Sequence, residues 1–268
     1  MHLRTRHADT DAPRGTVLLA HGYAEHSGRF LPLHDALVAA GYDIAFYDHY
    51  GHGESEGPRA AVDVGRLIAD HRDMRRIAVA HARTDDLILF GHSMGGLITA
   101  ASVILDPDGV RATVLTGPAV RPLPAIPAGA ARALMPLARL APRLIAKPTA
   151  PRRGSVLSRD PRVQEAFDAD PLTWKGGVPL LTGATMILHG DEVLRRADRM
   201  RGPLLVVHGS DDALADLDGS RRLVAAAVAA HPDADIRLRI VDGAYHEVLN
   251  EPEGPELIGE ILAWLADR

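Results

Sequence analysis

One short segment constrains the fold of this chain more than any other. The apolar run 87–90 reads as a buried strand, and it leads directly into the pentapeptide Gly91-His92-Ser93-Met94-Gly95. The residues that follow, 96–105, read as a helix. Glycines on both sides of Ser93 allow a sharp turn that lifts its hydroxyl clear of a sheet, and the helix N-terminus behind it favours developing negative charge. The alternative is an idle serine in an ordinary strand–turn–helix.

Short apolar runs alternate with longer amphipathic stretches in the rest of the chain, as in a parallel sheet covered by helices. The predicted strands are 16–20, 42–47, 87–90, 112–115, 204–207 and 236–241. The predicted helices are 30–40, 63–82, 96–105, 219–230 and 255–266. We therefore expect an α/β fold, with a mostly parallel central sheet and helices on both faces.

Residues 119–189 break this rhythm. The segment is rich in proline and alanine and shows no clear strand. Leucines recur at helical spacing and prolines interrupt them, so we expect short, broken helices. These residues are Leu134, Pro136, Leu137, Leu140, Pro142 and Leu144. We interpret residues 119–189 as a cap inserted over a core of residues 1–118 and 190–268.

The charge of the chain is unevenly placed. The formal net charge is −5, which argues against nucleic acid as a partner. Between Pro118 and Arg159, however, eight cations stand without a single Asp or Glu. They are Arg121, Arg132, Arg139, Arg143, Lys147, Arg152, Arg153 and Arg159. Such a basic, apolar cap would be drawn to anionic lipid, which predicts transient contact with a membrane. In the alternative, its leucines pack on the sheet and its arginines are solvated.

The composition excludes several classes of protein. The chain has no cysteine, so disulfides and thiolate chemistry are excluded. Residues 1–13 contain no apolar run of the kind a signal peptide needs. No stretch approaches the roughly 20 apolar residues that span a bilayer. We expect a cytoplasmic protein, associated with membranes peripherally at most, with no nucleic acid and no obligatory protein partner.

Two loops later in the chain offer partners for Ser93. A serine hydroxyl is a poor nucleophile without a base, and the base needs an orienting carboxylate. After a strand–G-x-S-x-G–helix turn these partners follow in the order acid, then histidine. Strand 204–207 leads into Asp211 and Asp212, and strand 236–241 is followed by His246. Because ligand chemistry lies at the carboxyl ends of parallel strands, all these residues are expected at one edge of the sheet.

Each candidate has a plainer alternative. Asp211 and Asp212 compete for the orienting role, since an Asp in a loop commonly serves as a turn residue or a helix cap. His246 could be a surface-loop histidine. Acyl transfer also needs donors for an oxyanion, and the backbone N–H groups of Met94 and Tyr23 are the natural candidates.

The remaining histidines do not suggest a metal site. His49 and His52 lie three apart in a Gly-rich loop, but no carboxylate or cysteine has the spacing that a zinc site requires. His71 and His81 are too far apart on one predicted helix to chelate one ion, and we expect them to pack at an edge. No metal and no cofactor is predicted.

Six segments together resemble the monoacylglycerol lipase branch of the α/β-hydrolases, also called the serine aminopeptidase S33 or hydrolase_4 group. They are residues 21–30 (HGYAEHSGRF), 48–57 (DHYGHGESEG), 91–96 (GHSMGG), 170–172 (DPL), 208–212 (HGSDD) and 244–247 (AYHE). The segments run in family order over nearly the whole chain, and the first is much more specific than G-x-S-x-G. The resemblance implies an α/β-hydrolase fold with an inserted, mainly helical cap that meets lipid. The chain departs from the family in two ways. The cap is the least family-like part, and only about one strand, Leu3–Ala8, precedes the strand before His21, so the family's antiparallel edge is expected to be short.

The resemblance also implies roles for single residues. It assigns the orienting acid to Asp212 and the oxyanion hole to Tyr23 and Met94. It places three residues near the polar end of the acyl pocket, where they would meet glycerol. These are Glu25, Arg29 and His92. On physical grounds alone, Glu25 and Arg29, four apart, could form a plain ion pair.

The implied activity is hydrolysis of a small lipid ester, a monoacylglycerol, to glycerol and fatty acid through an acyl-enzyme. Ser93 would attack the ester carbonyl, and His246 would accept its proton and later donate it to the leaving glycerol. A broad-specificity carboxylesterase or a lysophospholipase with the same three residues is an alternative. A ligand-binding receptor on the same scaffold is the non-enzymatic alternative.

Overall fold

The computed structural model of the protein describes residues 1–147 and 155–268. The strands are β1 (Arg4–Arg6), β2 (Thr16–Ala20), β3 (Asp43–Phe46), β4 (Leu87–His92), β5 (Val110–Thr116), β6 (Ile145–Lys147), β7 (Val178–Pro179), β8 (Leu204–Gly209) and β9 (Ile236–Val241). The helices are α1 (Leu31–Ala39), α2 (Val64–His81), α3 (Met94–Leu105), α4 (Ala128–Leu140), α5 (Pro161–Ala169), α6 (Leu180–Arg195), α7 (Leu217–Ala230) and α8 (Gly254–Ala266). Arg152 and Arg153 of the basic segment lie outside the described residues.

The central sheet has seven strands in the order β1-β3-β2-β4-β5-β8-β9. Strand β1 pairs antiparallel with β3, and every other pair in this sheet is parallel. The predicted elements of the core agree with these bounds to within two residues, and the short antiparallel edge is confirmed. Sequence could locate β2 and β4 because strands buried on both faces read as continuous apolar runs.

Helices cover both faces of the sheet, so the core forms two layers. On one face, Leu67 of α2, Leu97 of α3 and Leu223 of α7 pack against the sheet. On the other face, Leu37 of α1 and Trp264 of α8 do the same. Alternate residues of each strand serve the two layers. This sandwich fixes the strand ends, and with them the loops that follow β2, β4, β8 and β9.

Between β5 and β8 the chain leaves the sheet for residues 119–189, called the cap segment below. Helix α4 packs on α6 through small and apolar side chains. They are Ala131, Ala138, Leu180, Ala184 and Ile187. The stretch 155–174, before α6, is tied to loops of the core instead. His26 Nε2 lies 2.8 Å from Asp170 Oδ2, and the Trp174 amide donates to the Ala24 carbonyl at 2.8 Å.

Two expectations for the cap segment were wrong. Helix α4 continues through Pro136 rather than stopping there. Pro136 lies on the exposed side of the helix, so the carbonyl that loses its partner faces water, while Ala131 and Ala138 pack inward on either side. Strands β6 and β7 form a small antiparallel pair where no strand was expected. Strands of two or three residues are too short to show a period.

In the part of the chain that the structure describes, none of the helices combines the length and apolarity needed to cross a bilayer.

Candidate active site

Ser93 occupies a strained turn between β4 and α3. Its backbone has φ of 55° and ψ of −119°, a conformation that costs a non-glycine residue about 1–3 kcal/mol. Surrounding contacts impose it: the Ser93 amide donates to the Thr116 carbonyl at 2.9 Å, and the Ser93 carbonyl accepts from the Ala119 amide at 2.9 Å. A side chain at Gly95 would collide with the carbonyl oxygen of Ala20. The turn therefore requires glycine there and presents the serine hydroxyl beyond the end of the strand.

The structure brings Ser93, His246 and Asp212 into one hydrogen-bonded chain. Ser93 Oγ lies 2.8 Å from His246 Nε2, and His246 Nδ1 lies 2.7 Å from Asp212 Oδ2. A carboxylate only accepts, so the Nδ1–H of His246 donates to Asp212 and leaves Nε2 to accept the serine proton. The three residues follow β4, β8 and β9 at the same edge of the sheet, as their order predicted.

Asp212 is held as a carboxylate by its surroundings. Its Oδ1 accepts the backbone N–H groups of Leu214 at 2.8 Å and Ala215 at 2.9 Å. His208 Nε2 lies 3.2 Å from its Oδ2. Burial by itself would raise the pKa of Asp212, but the charge of His246 and these hydrogen bonds hold that pKa far below its usual range. Asp211, the competing carboxylate, bonds to the Ser210 hydroxyl and is exposed.

The same contacts act on His246 in the opposite direction. Burial lowers the pKa of an imidazole, because the protonated form loses its hydration. The charge of Asp212 and the hydrogen bond to it outweigh this effect, and Glu247 and Glu25 add to them. The pKa of His246 is therefore raised above 6.5. A base of this kind accepts the serine proton readily and stabilises the imidazolium that results.

The two predicted oxyanion donors flank Ser93. Met94 is the first residue of α3, where a backbone N–H has no partner within the helix. Tyr23 follows Gly22 in the loop after β2, and a Cβ added at Gly22 would lie 3.0 Å from Ser93 Cβ. The backbone of this loop thus passes directly beside the serine. A side chain at Gly22 would also meet Glu25 Oε1 at 2.6 Å, so this approach depends on glycine.

Glu25 and Arg29 belong to a buried charge cluster that also contains Glu247. Arg29 Nη1 donates to Glu25 Oε2 at 2.7 Å and to Glu247 Oε1 at 2.7 Å, and Arg29 Nη2 donates to Glu247 Oε2 at 3.0 Å. The ion pair between Glu25 and Arg29 is thus present. Burial, opposed by Arg29 and reinforced by Glu247, raises the pKa of Glu25 to about 7. Arg29 and Asn250 hold the pKa of Glu247 below its usual range against burial, so Glu247 ionises more readily than Glu25.

His92 completes the polar surroundings of the serine. Its ring centroid lies 4.9 Å from that of His246, and its Nδ1 lies 3.0 Å from the Thr116 hydroxyl. Burial and the neighbouring His246 lower the pKa of His92 to about 3, so it is neutral. His92, Glu25, Arg29 and Glu247 line a cavity of about 20 Å³, which is room for about one water molecule.

Three of the four histidines set aside as metal ligands, His49, His52 and His71, are buried, and the fourth is exposed. His49 and His52 are buried in the loop after β3, and their rings lie 4.3 Å and 5.7 Å from the ring of His21. His71 lies inside α2 and is fully buried, whereas His81 is exposed at its end. Over residues 1–147 and 155–268, no group of three or more His, Asp or Glu side chains is arranged to hold a metal ion.

Sequence reasoning missed two contributors to this site. His208 packs beside Asp212, and Glu247 pairs with Arg29 although 218 residues separate them. Both lie in segments with recognisable motifs, but their neighbours in the chain give no sign of the contact. The only signal in the sequence was the position of Glu247 directly after His246.

The fold and this site together define a serine hydrolase of the α/β-hydrolase class. The chain belongs to the Hydrolase_4 family (serine aminopeptidase, S33), whose sequence profile matches residues 11–253.

Named relatives cover almost the whole chain. It is 38% identical over 261 residues to a monoacylglycerol lipase of Mycolicibacterium smegmatis, covering 97% of this chain and 90% of the relative. It is 30% identical to a human monoglyceride lipase, covering 97% and 84% of the two chains. The crystal structure of a Paleococcus ferrophilus monoacylglycerol lipase superposes with a TM-score of 0.83 at 28% identity, covering 100% of this chain and 99% of that one.

Proposed function

We propose that this enzyme hydrolyses monoacylglycerols to glycerol and free fatty acid through an acyl-enzyme on Ser93. The observation that carries the proposal is the hydrogen-bonded chain from Ser93 Oγ through His246 to Asp212, at 2.8 Å and 2.7 Å. The choice of substrate is supported by the monoacylglycerol and monoglyceride lipases among its relatives. The mechanism requires no metal and no cofactor.

Acylation begins when Ser93 Oγ attacks the ester carbonyl and His246 Nε2 takes the serine proton. Asp212 keeps the imidazole in the required tautomer and stabilises the imidazolium. The carbonyl oxygen becomes an oxyanion, which the N–H groups of Met94 and Tyr23 bind. When the tetrahedral intermediate collapses, His246 gives its proton to the leaving glycerol oxygen.

Deacylation repeats these steps with water as the nucleophile. His246 removes a proton from water, the hydroxide attacks the acyl carbonyl, and the same two N–H groups bind the second oxyanion. The proton then returns from His246 to Ser93, and the fatty acid leaves. In each half-reaction His246 accepts one proton and then donates it. This suits a histidine whose protonated form is stabilised by Asp212.

We expect the glycerol end of the substrate to lie on the His92 side of Ser93, towards Glu25 and Arg29. Arg29 already bonds to two carboxylates, so it offers glycerol only its remaining donors. Contact of Glu25, Arg29 and His92 with glycerol therefore stays a prediction.

Residues 119–189 are proposed to form a cap over a core of residues 1–118 and 190–268, with an outer surface that contacts lipid. Leu134, Leu137 and Leu140 of α4 are 43%, 45% and 84% exposed. Exposed leucines on a helix with arginines are suited to the surface of an anionic membrane. This supports peripheral association with membranes, and we propose that the enzyme is cytoplasmic.

A fluorophosphonate probe tests the nucleophile, because it phosphonylates only an activated serine. The wild type should be labelled and Ser93→Ala should not, with Ser102→Ala as the control. Ser102 is a fully buried serine of α3 that faces Arg75 rather than the site. Absence of labelling in the wild type would contradict the proposal.

The substrate is tested by comparing kcat/KM for a monoacylglycerol, a triacylglycerol and a lysophospholipid of the same acyl chain. Monoacylglycerol should be preferred. Equal turnover of simple short-chain esters would favour a broad carboxylesterase instead, and preference for the lysophospholipid would favour a lysophospholipase. A ligand-binding receptor would hydrolyse none of them.

A further inference from the structure

Glu247 is an acidic residue that is buried beside the base and fully engaged. It follows His246 directly and is 5% exposed. Arg29 binds both of its oxygens, at 2.7 Å and 3.0 Å, and Asn250 Nδ2 donates to Oε2 at 2.6 Å. Its own backbone N–H donates to the Leu157 carbonyl of the cap segment at 2.7 Å. A bidentate contact between a carboxylate and a guanidinium has one favoured geometry, so it fixes the position of both side chains as well as pairing their charges.

The chain of contacts continues from Arg29 to the loop that holds Tyr23. Arg29 Nη1 donates to Glu25 Oε2 at 2.7 Å, and Glu25 Oε1 accepts the backbone N–H of Gly22 at 2.6 Å. Gly22 directly precedes Tyr23, the proposed oxyanion donor. An unbroken series of charge-assisted hydrogen bonds therefore joins the loop of the base to the loop of the oxyanion hole.

This cluster is a costly way to hold two loops together. Two carboxylates share one guanidinium in a buried place, so one negative charge is left over when both are ionised. Apolar side chains commonly stabilise a fold as well as a buried ion pair does. The excess charge has a use here, however, because it lies beside His246, which becomes an imidazolium each time it accepts a proton.

We propose that Glu247 is a positioning residue, which acts through Arg29 and Glu25 to hold the Gly22–Tyr23 backbone against Ser93 and stabilises the His246 imidazolium by its charge. This role rests on the proposed acyl transfer at Ser93. It differs from glycerol binding in one respect: it acts on every ester, including those without glycerol. The arrangement also makes the oxyanion hole depend on an acid contributed by the loop after β9.

The groups that face His246 come from every neighbouring loop. Asp212 follows β8, His92 ends β4, and Glu25 and Arg29 follow β2. His92 is neutral, and Asp212 is present in all the variants below. A change in the acid limb of the pH profile on altering Glu247 therefore reports the Glu25–Arg29–Glu247 cluster.

The test is Glu247→Gln, assayed with 4-nitrophenyl acetate, which contains no glycerol. We expect kcat to fall about 10-fold with KM unchanged, a smaller effect than outright deletion of an oxyanion donor. The acid limb of kcat/KM should move to lower pH, and fluorophosphonate labelling of Ser93 should slow by the same factor as kcat. Arg29→Lys keeps the positive charge but loses the bidentate contact with Glu247. It should lower kcat but move the acid limb less than Glu247→Gln does.

Glu251→Gln is the matched control, because Glu251 is also a buried acid of this loop but pairs with Arg159. It should lower thermal stability without the change in the acid limb. If Glu247→Gln does not fold, Asn250→Ala is the second variant: it removes the hydrogen bond from Asn250 Nδ2 to Glu247 Oε2 and should change kcat and the acid limb in the same direction, by less.

The proposal is overturned if Glu247→Gln folds and keeps the kcat and pH profile of the wild type on 4-nitrophenyl acetate. It is also overturned if the variant loses only monoacylglycerol turnover, since that result would make the cluster a glycerol site. Failure of the proposed acyl transfer would instead be seen in the wild type, as absence of labelling and of ester turnover, and would overturn both.

Discussion

The carboxyl edge of the sheet and the outer surface of α4 are built in opposite ways. At the sheet edge the side chains of Ser93, Asp212 and His246 are buried and paired: the Asp212 side chain is 0% exposed and accepts hydrogen bonds at both oxygens. On α4 apolar groups are exposed, up to 84% for Leu140. Its cations Arg132 and Arg139 have no acidic partner within residues 1–147 and 155–268.

The difference follows from what each surface has to meet. A buried polar group without a partner is costly, so the sheet edge must be complete before any substrate arrives. An exposed apolar face is costly in water and favourable against lipid, so we expect lipid to cover the exposed leucines of α4. Changes at the edge should therefore affect chemistry or folding, and changes on α4 should affect only where the enzyme works.

The largest effect is expected from Asp212→Asn. The variant keeps the shape of the side chain but loses the carboxylate that fixes the tautomer of His246, so kcat should fall by about 10⁴-fold. Asp211→Asn is the matched control, because Asp211 is exposed and its carboxylate accepts from the Ser210 hydroxyl rather than from His246. Its kcat should match the wild type in a steady-state ester assay. Similar losses in the two variants would contradict the assignment of the acid.

Gly95→Ala should disturb folding rather than chemistry alone. A Cβ at this position collides with the carbonyls of Ala20 and His21, which belong to the neighbouring strand and its loop. Overpacking of this kind lowers the free energy of unfolding by about 1–3 kcal/mol, which urea denaturation measures.

Gly259→Ala in α8 is the control for this substitution, because nothing lies within 4 Å of the added Cβ. It should raise the free energy of unfolding by about 0.5–1 kcal/mol, since alanine favours a helix interior. Equal stability of the two variants would mean that the turn tolerates a side chain.

The pH dependence separates buried from exposed charge. The base must be unprotonated to act, so kcat/KM should fall as the pH drops through the pKa of His246. Because Asp212 raises that pKa, the acid limb should lie above 6.5. Asp212 is buried, so high salt should leave the limb in place, whereas exposed pairs are screened. A limb below 6.5 would show that burial outweighs Asp212.

The contrast between the two regions also explains what could be predicted from the sequence. Ser93, His246 and the pair Asp211 and Asp212 could be predicted because each follows an apolar strand, and strand ends of a parallel sheet meet at one edge. The choice of Asp212 over Asp211 came from the family resemblance. The pairing of Arg29 with Glu247 was not, because a contact across 218 residues leaves no local pattern. Prolines predicted broken helices, but packing of Ala131 and Ala138 on α6 carried α4 through Pro136. Tertiary contacts decided where local signals conflicted.

A double variant of α4 is expected to change ester turnover least and membrane binding most. Leu137→Ser together with Leu140→Ser should weaken binding to anionic phospholipid vesicles about 10-fold, since each leucine contributes part of the 1.5–3 kcal/mol gained on full burial. Sedimentation with the vesicles measures this, and turnover of a soluble short-chain ester should not change.

Val228→Ser on α7 is the control, because Val228 is an exposed apolar residue outside the cap segment. High salt should weaken binding of the wild type, because the arginines of α4 are attracted to the lipid head groups. Equal vesicle binding by the double variant and the wild type would mean that the exposed leucines of α4 do not face lipid.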